Sequence, residues 1–206
     1  MSMKLYLASG NAHKAQEFQS LADASGLPLQ VFSARAVGGM PPVVEDTGSF
    51  EGNARKKALA LRQRLPADGW ALADDSGLCV DALDGAPGVE SAYYAGAAGD
   101  SGANLAKLVA TMRDIPAARR AAHFRCVLLL VGPDGEAHTF DGRCDGRLLE
   151  SPRGGHGFGY DPLFAPDGYA ESFAELGESV KNRLSHRGRA WAALVAWART
   201  RMSAGA

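Results

Sequence analysis

Two carboxylates stand side by side where an apolar strand is expected to end. Ala71-Leu72-Ala73 has the composition of buried strand, and Asp74-Asp75 follows at once, before Ser76-Gly77-Leu78. Like charges so close raise each other's pKa and resist burial. A fold that brings this junction near its interior must compensate both acids. A divalent cation does so: Mg²⁺ takes hard oxygen ligands, commonly one or two carboxylates together with substrate phosphates. In the plainer arrangement one Asp caps the next segment and the other sits in water, and the hexapeptide alone leaves both open. Ser76-Gly77 has turn chemistry, so a turn is expected here, with Leu78-Cys79-Val80 opening another strand.

The rest of the chain alternates helix and strand signals. Lys4-Leu5-Tyr6-Leu7-Ala8 reads as a first strand, and Ser9-Gly10-Asn11 turns into a helix with Ala15, Phe18, Leu21 and Ala22 on one face, ended by Gly26. Residues 29–32 suit a second strand and residues 38–42 a loop. Phe50, Ala54, Ala58, Leu61 and Leu65 align on a second helix, 50–65, that Pro66 stops. Loops are expected at 85–88 and 96–102, and a third helix carries Leu105, Leu108, Val109 and Met112. A long strand, 123–131, meets Gly132-Pro133-Asp134-Gly135, a hairpin turn, and 137–143 returns. The last helix takes Ser185 as N-cap and buries Trp191, Leu194, Val195, Ala198 and Met202. Interleaved helices and strands plus one hairpin predict an α/β fold: a mixed sheet with helices packed on it.

Composition narrows the function classes. A net charge of −1 over 206 residues argues against a general nucleic-acid binder, though not against a local basic pocket. No apolar run reaches the length that spans a membrane. The N-terminus does not read as a signal peptide. Cys79, Cys126 and Cys144 are far apart, without zinc-ligand spacing, so neither a metal centre of that kind nor a disulfide framework is expected, and the cytoplasm is the expected compartment.

Four more clusters are candidates for chemistry, and each is also open to a plain structural reading: an ordinary helix start at 9–14, a surface lysine on the second helix, a surface loop with Phe158 in the core at 154–161, and cations near a solvated helix start at 181–188. Ser9-Gly10-Asn11-Ala12-His13-Lys14 joins a strand to a helix, whose N-terminus is a ready anion site with Lys14 one turn in. It is neither a Walker A loop nor a dinucleotide fingerprint. Asn53 and Lys57 share one face of the second helix, after Glu45, at the border of the buried stripe, where a lysine points into a site or snorkels to the surface. Gly154-Gly155-His156-Gly157-Phe158-Gly159-Tyr160-Asp161 sets two aromatics beside an acid, a combination suited to stacking on a base. Lys181 and Ser185-His186-Arg187-Gly188 gather donors suited to phosphates or keto oxygens.

In this order the motifs SGNxxK, NAxxKA, ADDSGL, GAPGV, GxGFGYDP and KxxxSHRG resemble the RdgB/inosine triphosphatase family, pyrophosphatases of non-standard purine nucleoside triphosphates, from about Leu5 to Trp197. The resemblance implies a single ITPase-like domain over 1–206: a long mixed twisted β-sheet flanked by helices, in two lobes with a central active-site cleft. It also implies a homodimer and Mg²⁺ as cofactor, with a purine nucleoside triphosphate (ITP, dITP or XTP) as substrate. By motif position, Ser9, Gly10, Asn11, Ala12, His13 and Lys14 would hold the triphosphate. Glu45 and Asp75 would bind the metal, with Asp75 also the catalytic base, Ser76 beside it and Lys57 facing phosphate. Phe158, Gly159, Tyr160 and Asp161 would hold the base, and Lys181, His186 and Arg187 would close around base and phosphates. The sequence departs from the family pattern twice. ETGxTF becomes Glu45-Asp46-Thr47-Gly48-Ser49-Phe50, which leaves Glu45 and Asp46 to compete for the metal. SARY becomes Ser91-Ala92-Tyr93-Tyr94, which removes one arginine.

Overall fold

The computed structural model describes residues 2–97 and 99–204, without the side chains of Ala12, His13 and Ala204. Among these residues a mixed sheet of six strands runs in the order β2-β1-β3-β4-β5-β6: β1 (Met3–Leu7), β2 (Leu29–Ser33), β3 (Gly69–Val80), β4 (Ala121–Val131), β5 (Ala137–Leu148) and β6 (Phe164–Pro166). β1 is parallel to both β2 and β3, and β5 is antiparallel to β6. Helices flank the sheet: α1 (Ala12–Ala24), α2 (Phe50–Arg62), α3 (Ser101–Thr111), α4 (Phe173–Leu176), α5 (Glu178–Leu184) and α6 (His186–Ala204). The α/β class expected from the sequence is the one found.

The chain divides into two compact units. The first comprises Met1–Asp75, Cys126–Asp141 and Arg189–Ala206. Its core joins Leu5 and Leu7 of β1 and Phe18 and Leu21 of α1 to Leu72, Cys126, Leu128 and Leu130 of the strands and Trp191 and Leu194 of α6. The hairpin forms as expected, with the Gly135 N–H donating to the Gly132 carbonyl at 3.1 Å. Helix α2 ends at Arg62, before Leu65, and its start is set by Ser49, whose hydroxyl accepts from the Gly52 N–H.

The second unit comprises Ser76–Arg125 and Gly142–Gly188. Leu78, Val80, Leu108, Met112, Phe124, Leu163, Phe164 and Phe173 form its core, and Phe124 and Phe164 meet edge to face at 4.8 Å. Ser185 caps the last helix as expected, accepting from the Gly188 N–H at 3.1 Å. The expected 96–102 loop includes Ala98, which lies outside the described residues, and α3 already begins at Ser101.

One expectation is overturned. Ser76-Gly77 is not a turn: β3 runs unbroken from Gly69 to Val80, so Leu78-Cys79-Val80 continues the strand that carries the two aspartates. Gly77 serves close packing instead. A Cβ on it would fall 2.1 Å from the Gly88 carbonyl oxygen, and the Leu78 N–H next to it donates to the Ser91 hydroxyl at 2.9 Å. The glycine is needed for the approach of a second backbone, which local sequence does not distinguish from a bend.

Candidate active site

The acidic junction lies inside the first unit. Asp74 is 1% exposed and Asp75 7%. Lys57 reaches them from α2, whose buried line Phe50-Ala54-Ala58-Leu61 fixes the helix against the core. Its ammonium donates to Asp75 Oδ1 at 2.6 Å, to Glu45 Oε2 at 2.9 Å and to the Asp74 carbonyl at 3.0 Å. Lys57 is therefore turned inward and does not snorkel.

This geometry also separates Glu45 from Asp46. Glu45 joins Lys57 and Asp75, whereas Asp46 pairs with Lys56 at the surface. The segment behind Glu45 is held by Asn53, buried on α2, whose side-chain oxygen accepts from both the backbone N–H and the hydroxyl of Thr47.

Charge and burial oppose one another here. Burial pushes the Asp75 carboxyl up to about 6, with Glu45 adding to the rise, against the downward pull of Lys57 and Lys14. Burial alone would lower the pKa of Lys57; the charges of Asp75 and Glu45 outweigh it and hold the ammonium above its ordinary value. Asp75 Oδ2 is buried and has no hydrogen-bond partner among the described residues. A buried carboxylate oxygen left over in this way, beside a second carboxylate, is an oxygen donor of the kind a hard cation takes, and the residues fit such an ion. Carboxylates, histidines and cysteines do not gather in threes around any one point among the described residues, so the protein alone offers a partial shell. A cation that keeps several waters and takes substrate oxygens suits it.

At the start of α1, Asn11 accepts the Lys14 N–H on its side-chain oxygen at 3.3 Å, and the Asn11 N–H donates to the Ser9 hydroxyl at 3.1 Å. Lys14 sends its ammonium to Asp74 Oδ2 at 2.9 Å. Gly10 is exposed, with nothing within 4 Å of where its Cβ would be. The side chains of Ala12 and His13, two of the expected phosphate-loop residues, lie outside the described residues.

The second unit gathers the remaining expected residues. Asp161, 3% exposed, is the hub of the glycine-rich loop. Its Oδ2 accepts from the Phe158 N–H at 2.8 Å and from the Lys181 ammonium at 2.7 Å. Gly157 makes this possible: its φ is +77°, and a Cβ there would strike Asp161 Oδ2 at 2.2 Å. The Lys181 ammonium lies 4.6 Å from the centre of the Phe158 ring and the Arg187 guanidinium 5.7 Å, both within cation–π range. Arg187 also donates to the Ser76 hydroxyl at 2.9 Å. His186 stacks on Phe124 with ring centres 4.7 Å apart.

Tyr160 departs from the arrangement the motif suggests. Its ring is part of the core, its hydroxyl donates to the Ser91 carbonyl at 2.8 Å, and burial raises its pKa. It supports the loop from beneath. Three residues that motif reading did not single out join these networks: Thr47 behind Glu45, Ser91 under Tyr160, and Cys126, whose thiol lies 3.3 Å from Asp74 Oδ1. Only contact across the sequence shows them.

With the geometry in hand, the chain can be set beside known proteins. Residues 5–197 match the Ham1 family. The dITP/XTP pyrophosphatase of Opitutus terrae is 62% identical over 201 residues, 96% of this chain and 99% of that protein. The dITP/XTP pyrophosphatase of Leifsonia xyli subsp. xyli is 47% identical, over 94% of each chain. The structure of the Staphylococcus aureus Ham1 protein superposes with a TM-score of 0.82 at 33% identity, covering 96% of this chain and 99% of that one. That of the nucleoside-triphosphatase (dITP/XTP pyrophosphatase) from Mycobacterium abscessus does so with a TM-score of 0.73 at 43% identity, covering 93% and 98%.

Proposed function

The chain belongs to the Ham1 family, and from that membership we propose that it hydrolyses non-standard purine nucleoside triphosphates (dITP, XTP and ITP) to the monophosphate and pyrophosphate. The observation that carries the reading is Asp75: a buried carboxylate, shared with Glu45 across one ammonium, with one oxygen left over.

Water adds to the α-phosphorus, the bond to the bridging oxygen breaks, and pyrophosphate leaves with that oxygen. Asp75 accepts the proton of the attacking water; in the absence of a cation, burial holds its pKa above that of an ordinary aspartate. Lys14 and Lys57 stabilise the charge that builds on the leaving group, being held in place before substrate arrives. Ser9, Gly10 and Asn11, with Ala12 and His13, line the start of α1 where phosphate oxygens meet backbone N–H groups. Mg²⁺ is the cation proposed; Glu45 and Asp75 would hold it, and it would supply charge screening and a more acidic water.

On the base side, Phe158 offers a face and Arg187 offers donors. A keto oxygen at C6 of the purine accepts from such donors, whereas adenine's amino group would face them unpaired, which discriminates strongly. Asp161 organises the loop, and Lys181, bonded to Asp161 over Phe158, belongs with the base residues.

The same reading extends to a cytoplasmic enzyme acting as a homodimer, with residues 1–206 working as one domain. The cysteines are free, in keeping with a reducing compartment, and no described helix is long and apolar enough to cross a membrane. Light scattering on the purified protein tests the dimer.

The experiment that tests the activity is a pyrophosphate-release screen over dITP, XTP, ITP, GTP and ATP, with and without Mg²⁺, run in ¹⁸O-labelled water. The reading requires Mg²⁺-dependent release of unlabelled pyrophosphate with label in the monophosphate. Orthophosphate carrying the label would assign a γ-phosphatase, and binding without release would assign a nucleotide sensor.

A further inference from the structure

Asp74 is as buried as any group in the protein, its side chain wholly withdrawn from water. An ionised carboxylate in that position is costly unless charged or donating groups meet it. Lys14 and Cys126 are among the groups that do so, from different elements. Lys14, in the first turn of α1, places its ammonium 2.9 Å from Oδ2. Cys126, on β4 beside β3 in the sheet and fully buried, places its thiol 3.3 Å from Oδ1. A thiol is a weak donor, and 3.3 Å is close for sulfur and oxygen.

Lys14 itself stands where a cation is not favoured, since the N-terminal turn of a helix carries partial positive charge. Asp74 offsets that and fixes one of the three ammonium donors. The side chain of Lys14 remains 17% exposed, and an ammonium has three donors, of which this contact uses one.

We propose that Cys126 and Asp74 are positioning residues for Lys14: the thiol orients the buried carboxylate, and the carboxylate aims the ammonium at the triphosphate. Neither touches substrate. The proposal rests on the reading of Lys14 as a phosphate-binding residue. It assigns a functional reason for sulfur at 126, a position that packing alone would fill with valine or alanine. By holding Oδ1, the thiol keeps the carboxylate from rotating and draws off part of its charge, so Asp74 anchors Lys14 without neutralising it.

The test is calorimetric titration of inorganic tripolyphosphate into the full-length protein at a fixed Mg²⁺ concentration, with thermal unfolding recorded for every variant. Cys126→Val keeps the volume and removes the donor, and tripolyphosphate affinity should fall about 5- to 10-fold, the scale of one weak charged hydrogen bond. Cys126→Ser restores a donor and should return to within about twofold of wild type. On a Lys14→Met background, Cys126→Val should cause no further loss, because the thiol acts only through the ammonium. Where Cys126→Val does not fold, Cys126→Ala makes the same comparison. Full affinity in a folded Cys126→Val protein overturns the proposal. So does a loss that persists undiminished on the Lys14→Met background, or a Cys126→Ser protein as impaired as the valine variant, since each points to packing alone. If Lys14→Met by itself leaves tripolyphosphate binding intact, the phosphate role of Lys14 fails, a different result from a failure of coupling.

Discussion

The two units hold their charged groups in different ways. Around β3 and α2 of the first, the carboxylates of Glu45, Asp74 and Asp75 face two ammoniums, Lys14 and Lys57. Around the glycine-rich loop of the second, the carboxylate of Asp161 faces Lys181, with the Arg187 guanidinium nearby over Phe158. The first cluster sets three carboxylates against two ammoniums, a surplus that a cation would offset. The second sets Lys181 and Arg187 over the Phe158 ring, donors that suit electron-rich acceptors such as a keto oxygen. The difference also decides how each cluster is held. Ionic contacts fix the first, whereas in the second the Asp161–Lys181 pair is joined by backbone geometry, with Gly157 giving way to Asp161 and Tyr160 bonded to the Ser91 carbonyl.

The comparison breaks most visibly at Asp75. Asp75→Asn keeps the shape but removes the carboxylate proposed as base and metal ligand, so turnover should fall by about 10³-fold or more. Steady-state assays over dITP and XTP measure it. A variant that retains wild-type turnover removes the first cluster from the chemistry.

The same substitution has an opposite effect on stability. In the metal-free protein the folded-state pKa of Asp75, about 6, lies above its unfolded value near 3.8. The native state therefore binds the extra proton, and stability from the neutral form is present below about pH 4 and lost as pH rises through about 6. Relative to Asp75→Asn, the wild-type protein should lose up to about 3 kcal/mol across that window. Urea midpoints of both proteins at pH 4, 5, 6 and 7 read it, and a constant difference contradicts it. The activity runs the other way: kcat/KM should decline on acidification as a proton occupies the proposed base, at a pH below 6 because a cation held at Asp75 lowers its pKa.

Legibility in the sequence followed the same division. The first cluster could be read because its residues belong to tight local patterns: Lys57 sits four residues after Asn53, and Asp74-Asp75 ends an apolar run. Their pairing was not legible, since Lys14 and Asp74 are sixty residues apart and the thiol that joins them lies on another strand. In the second unit Phe158 and Asp161 stood out as a base-binding pair. Yet Asp161 turns inward to hold the loop, and Tyr160 spends its hydroxyl on the backbone. The short α5 that carries Lys181 leaves no periodic signal in seven residues. The misplaced turn at Ser76-Gly77 has a single cause: a glycine required by the Gly88 carbonyl has the same local signature as one required by a bend.

Smaller effects sharpen the base side. Phe158→Ala should raise KM for dITP about tenfold, within the roughly 1–3 kcal/mol that stacking on an aromatic ring contributes, and narrow the preference over ATP and GTP. Unchanged discrimination would move base recognition off this loop. Tyr160→Phe leaves the Ser91 carbonyl without its donor and should cost about 1 kcal/mol of stability, with little change in which nucleotide is preferred. A large shift in preference would return Tyr160 to the substrate.

The division of labour between the two clusters is tested most directly by the affinity of inorganic tripolyphosphate, a ligand with phosphates and no base, for Phe158→Ala and Lys14→Met in the presence of Mg²⁺. Calorimetry should find wild-type affinity in Phe158→Ala and a loss of about tenfold or more in Lys14→Met. Equal losses in the two variants, or a loss confined to Phe158→Ala, would contradict the account.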